Sequence, residues 1–133
     1  MMLFMKMKKI FFGIGITLII IIGGFVIWGY TPPDPMNEAL DAMRSDENIT
    51  VSSDSWIEFK KNDIVPQKAI IIYPGGRIDP RSYAPTAKSL AMAGFLVIIA
   101  SMPLSLAVFA ANKADKIISD HPEIEIWAIG GLS

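Results

Sequence analysis

Two glycine-bearing corners hold the residues whose types and spacing could do chemistry. Tyr73-Pro74-Gly75-Gly76-Arg77 follows the apolar run Ala69–Ile72, and Gly130-Gly131-Leu132-Ser133 follows Ile124–Ile129. A serine hydroxyl in one corner and backbone N–H groups in the other are the parts of an acyl-transfer site. Such a serine must sit on a sharp, strained turn that exposes its Oγ, and flanking glycines avoid clashes there. The oxyanion needs donors already aimed at it; removing one costs about 10²–10³ in rate. Both corners read as short β-branched strands running into turns that small residues fit. Side by side in a parallel sheet, the two strands would bring the corners together.

The elements that must position them can be read in chain order. Ile49, Val51, Ile57 and Phe59 sit two apart around the polar stretch Ser52–Ser55, which predicts a strand or hairpin. Ala69–Ile72 and Phe95–Ala100 are continuous rather than alternating apolar runs, as in strands of a parallel sheet covered on both faces. Between them a helix is predicted over about Tyr83–Ala93, with Ser82 as N-cap, Pro85 in the first turn and Gly94 closing it at C′. The i, i+3, i+4, i+7 spacing of Ala107, Ala110, Ala111, Ala114, Ile117 and Ile118 predicts a second helix over residues 104–119. Ile124–Ile129 is the next strand. Strand–helix–strand–helix–strand with short loops is the order of a parallel α/β sheet.

At Tyr73–Pro80 and Ile129–Ser133 the sequence resembles the α/β-hydrolase family, in particular its dienelactone-hydrolase-like and esterase-like members. The resemblance covers about Trp56–Ser133. It implies a partial α/β-hydrolase-type parallel sheet with flanking helices. It also implies that the turn after β-run 69–72 supplies one oxyanion-hole N–H, with Gly76 and Arg77 at the matching positions and Gly75, Gly76 and Arg77 as oxyanion or substrate contacts, the other donor coming from the residue after the nucleophile. Gly131-Leu132-Ser133 matches the first three positions of the G-x-S-x-G elbow, which makes Ser133 the nucleophile. The family order is serine, acid, histidine, so both partners are expected after Ser133 and lie outside these 133 residues. The expectation is therefore the N-terminal fragment of a serine hydrolase for an ester, lactone or similar acyl substrate, inactive as written. The competing expectation is a non-catalytic truncated or degenerate module.

Plainer roles are expected for several other polar residues. His121, the only histidine, reads as a helix C-terminal surface residue. Asp79 precedes Pro80 and reads as a turn residue. Arg77 reads equally as a fork for a substrate carboxylate and as an exposed loop residue. Trp127 reads as a packed strand residue, Glu123 and Glu125 as solvated, and Met36, Met43 and Met102 as packing. No cofactor or metal is expected: the chain has no cysteine, and neither G-x-G-x-x-G nor G-K-[ST] occurs.

The first thirty residues do something different. Residues 1–9 carry Lys6, Lys8 and Lys9 without an acid, and Ile10–Tyr30 carries no charge. At ~1.5 Å per residue this run spans roughly 31 Å, close to a ~30 Å hydrocarbon core. No A-x-A cleavage pattern follows. An uncleaved signal-anchor in contact with membrane lipid is expected, with a cleaved signal peptide as the alternative. The lysines place the N-terminus in the cytoplasm and the rest outside, with Trp28 and Tyr30 at the far interface. Residues 31–48 read as a linker, stiffened by Pro32, Pro33 and Pro35. A short helix follows, with Asp34 as N-cap and Met36, Leu40 and Met43 as its apolar stripe. Residues 49–133 read as the incomplete hydrolase domain. From Thr31 on there are nine basic and thirteen acidic side chains, net −4, which argues against nucleic acid as a partner.

Overall fold

A computed structural model of the 133-residue chain describes residues 1–101 and 112–131. Five strands form one sheet: β1 (Ile49–Ser53), β2 (Ile57–Lys61), β3 (Lys68–Tyr73), β4 (Leu96–Ile99) and β5 (Ile126–Gly131). Their spatial order is β1-β2-β4-β3-β5. β1 and β2 are a hairpin, and β2 pairs antiparallel with β4. β4, β3 and β5 are parallel to one another. The three strands that the sequence predicts as parallel are parallel, and the predicted hairpin adds an antiparallel edge to them. The sheet's parallel part is made by the runs joined through helices, and its antiparallel part by the run whose short polar interruption permits a hairpin.

The helices are α1 (Met2–Tyr30), α2 (Asn37–Ala42), α3 (Ala84–Met92) and α4 (Lys113–Asp120), with a 3-10 turn at Pro80–Tyr83. From β3 the chain crosses through α3 to β4 on one side. It then returns past β3 to β5 on the other, so α3 and α4 cover opposite faces. Ala84, Ala87 and Ala91 of α3 are fully buried against Ile72, Val97, Ile99, Phe59 and Ile49. Their small size lets the helix lie close to the sheet. Ala114 and Ile117 of α4 cover Ala69, Ile71, Leu96 and Ile98 on the second face. Each fully buried Ile or Phe contributes roughly 1.5–3 kcal/mol of transfer free energy. The continuous apolar runs are explained by this two-sided burial. The part of the second predicted helix within residues 102–111 lies outside the described residues.

Three boundaries differ from the sequence reading. α3 has no side-chain cap from Ser82; instead Asp79 caps the preceding 3-10 turn, accepting from the Arg81 amide. α2 starts at Asn37 with Met36 as N-cap, and it buries Ala39 rather than Met36 or Leu40. A six-residue helix has too few turns for its long side chains to fix its face, and Ala39 allows the closer approach. β5 begins at Ile126 rather than Ile124, and it runs through Gly130 and Gly131. Ile124 is instead buried in the turn before it, its amide donating to His121 O.

Gly94 ends α3 as predicted. Its φ is +104, its amide donates to Ala91 O, and the Phe95 amide reaches back to Leu90 O, the bond pair of a Schellman motif. α1 is 29 residues long with a mean hydropathy of 2.8 over its most apolar window, so it is long and apolar enough to cross a membrane.

Candidate active site

The two corners lie side by side. β3 and β5 pair so that Ile72 is opposite Gly130 and Tyr73 opposite Gly131. This is the C-terminal end of the parallel strands, the end at which open α/β sheets form their ligand crevice.

In the first corner Pro74 and Gly75 are buried and Gly76 is exposed. The Gly75 amide donates to the buried Tyr83 hydroxyl at 2.9 Å, so the 3-10 turn after the corner buttresses it. Ile78 N–H closes a turn onto Gly75 O at 3.2 Å. The left-handed residue of this turn is Arg77, with φ 54, at a position that ordinarily favours Gly or Asn. Among the described residues, the amides of Gly76 and Arg77 find no acceptor. The corner therefore presents two successive N–H groups and keeps the third, that of Gly75, engaged internally.

The Arg77 side chain is engaged within the chain. Its guanidinium lies 4.1 Å from the centre of the Trp28 ring, and it donates to Trp28 O at 3.2 Å and Thr31 O at 3.3 Å. Nothing in the spacing of residues 28, 31 and 77 signals this contact. Asp79 is a turn residue, as its sequence predicts. Its carboxylate accepts from the Arg81 amide, and the Arg81 guanidinium forks onto it at 3.0 and 2.6 Å. The Arg81 side-chain hydrogen bond is the main cause that holds the Asp79 carboxyl below its ordinary value, against the opposing effect of burial.

In the second corner, Gly131 ends β5, and Leu132 and Ser133 lie outside the described residues. The strand glycines are not forced by crowding among the described residues. A Cβ on Gly130 would meet nothing within 4 Å, and one on Gly131 would meet only Tyr73 Cβ at 3.9 Å.

His121 sits at the opposite end of β5, after α4. Its ring lies beside Trp127, four strand residues or roughly 13 Å before Gly131. It is also more enclosed than a surface residue. Its Nδ1 is 2.8 Å from Ile117 O and its Nε2 is 3.2 Å from Glu58 Oε2, with Trp56 and Trp127 rings about it at 6.3 and 6.1 Å. The hairpin brings Trp56 and Glu58 to it, a contact between residues too distant in sequence to be read from spacing. Trp127 packs on the second core face, as predicted. Among the described residues no group of three His, Cys, Asp or Glu side chains could hold a metal ion.

The alpha/beta hydrolase family model matches residues 69–133, the stretch that contains both corners. Residues 69–133 are alpha/beta-hydrolase-like. No curated protein and no solved structure matches the chain. The hydrolase-like stretch starts with β3, so the β1–β2 hairpin and α1 precede it.

Proposed function

We propose that this chain is the N-terminal part of a membrane-anchored, extracytoplasmic serine hydrolase of dienelactone-hydrolase or esterase type, taking a small ester or lactone. The observation that carries the reading is the register that sets Tyr73 against Gly131 within a hydrolase-like stretch. Ser133, two residues past that pair, is the nucleophile. Its Oγ attacks the acyl carbon, its proton passes to a base, and the carbonyl oxygen becomes an oxyanion held by the Gly76 and Arg77 amides. Gly131 and Leu132 stand at the first two positions of the elbow motif. Gly75 shapes the first corner, because its own amide is engaged by Tyr83.

In family order the base and its acid follow the serine. His121 precedes it and is bound to Ile117 and Glu58 far from the corner. Without a base a serine is an ordinary alcohol, so the 133-residue chain is expected not to turn over esters. The engagement of His121 also supports the second reading, a non-catalytic membrane-tethered module.

The test is to sequence the coding DNA past the Ser133 codon. A further residue, then Gly, and later an acid and a His after apolar strands support the hydrolase, and a fluorophosphonate probe on that longer chain should then label Ser133. A confirmed stop leaves the tethered module. The anchor is tested separately: the chain should resist carbonate extraction from membranes, and added protease should reach residues after 31 only from the extracytoplasmic side.

A further inference from the structure

The membrane helix and the hydrolase-like stretch meet at one place. Gly29 is the buried residue of α1. Around it, the Arg77 guanidinium stacks on Trp28 and donates to the carbonyls of Trp28 and Thr31. The last carbonyls of a helix have no intrahelical partner, and its C-terminal end carries negative partial charge, so a cation is favoured there. The planar fork of arginine serves both the ring face and the two oxygens. These contacts also oppose the backbone strain of a non-glycine residue at φ 54.

This contact ties the corner to the end of α1. If α1 spans the membrane, Trp28 and Tyr30 mark its water–lipid boundary. The corner after β3 then lies within one arginine side chain of that boundary. A cleft of about 210 Å³ lies between linker and corner, its wall made by the apolar Pro33, Pro35, Met36 and Ile78 and by the charged Asp34, Arg77 and Asp79 among others. Met36 in its wall is exposed. Asp34 and Glu38 are the charges of the adjoining linker and first turn, which favours zwitterionic over anionic lipid.

We propose that Arg77 straps the site to the end of the anchor, so that the ends of β3 and β5 open at the bilayer interface and take an amphiphilic acyl compound already dissolved in the membrane. The location rests on the Arg77–Trp28 contact; the acyl class rests on the function proposed above.

The chain has no cysteine, so single labels are clean. Ser82→Cys at the cleft and Val65→Cys at the far end of the sheet would carry an environment-sensitive fluorophore, each in the full chain in phosphatidylcholine vesicles. A nitroxide at headgroup level should quench position 82 several-fold more than position 65. Arg77→Gly, which keeps positive φ accessible, and Trp28→Leu should each reduce that difference. Equal quenching at the two positions, or a difference that neither variant changes, overturns the location. A phosphatidylcholine with an acyl-chain diazirine should crosslink within residues 74–82; crosslinks confined to residues 10–30 overturn the acyl entry route. Neither readout needs a reactive serine, so failure here and failure of the hydrolase reading are separable.

Discussion

The Tyr83 hydroxyl accepts the Gly75 amide at 2.9 Å, and both groups are buried. This bond joins the 3-10 turn to the corner after β3, while the Gly76 and Arg77 amides find no acceptor among the described residues. Tyr83→Phe keeps the ring but strands a buried N–H. A loss of about 1–3 kcal/mol is expected in a thermal melt, together with faster hydrogen exchange at Gly75. Unchanged exchange there would show that the bond does not hold the corner.

Asp46 is the second point of control, at the entry to β1. Its carboxylate accepts from Lys88 of α3 at 2.9 Å and from the amides of Asn48 and Ile49. These bonds, led by that from Lys88, lower its pKa from 3.8 to about 2. A depressed carboxyl stabilises the fold above its unfolded pKa and loses that contribution as pH falls through its folded one. Melting temperature in detergent should therefore fall between about pH 3.8 and pH 2, and Asp46→Asn should flatten that part of the profile. An identical slope in the variant would assign acid sensitivity elsewhere.

Gly94 ends α3 at φ +104, with Ile64 Cδ1 only 3.4 Å from where a Cβ would lie. Gly94→Ala meets both a backbone penalty and a contact, so a loss of at least about 1 kcal/mol is expected. Gly130→Ala is the useful control, because nothing lies within 4 Å of its Cβ position. Equal melts for the two variants would contradict this assignment.

His121 links α4, the hairpin and β5 through Ile117, Glu58, Trp56 and Trp127. His121→Ala removes hydrogen bonds and aromatic contacts together, and about 2 kcal/mol of lost stability is expected. Emission from Trp56 and Trp127 should shift to the red as their rings meet water. An unshifted spectrum would show that the imidazole does not shield them.

The sequence carries the sheet's centre more clearly than its margins. Ala69–Ile72 and Leu96–Ile99 must be covered on both faces, and strands with helices between them satisfy that pattern. The antiparallel join of β2 to β4 is a choice of partner, which alternation within β2 does not encode. The face of α2 was misread because, over six residues, a small Ala packing closely against α3 outweighs the long side chains of Met36 and Leu40. At the site, glycine content marks both corners but not which residue of the first carries the positive φ. Gly130 and Gly131 lie in a paired strand, and the positive φ of the first corner falls on Arg77. Its partners Trp28 and Thr31 belong to an element whose composition speaks only of lipid.

The central place of β3 also sets a schedule. Its partner β4 is made soon after it, but β5, its partner on the other side, comes only when residue 126 is made. At about 5–20 residues per second, β3 waits roughly 3–12 s for that second partner during synthesis. Throughout the interval, Ala69-Ile70-Ile71-Ile72 is the open rim of a growing sheet. It is an uncharged, β-branched segment of the kind that recruits strands from other chains. Nascent chains of this protein should therefore depend on a holding chaperone in the window between β4 and β5, and far less once β5 has docked.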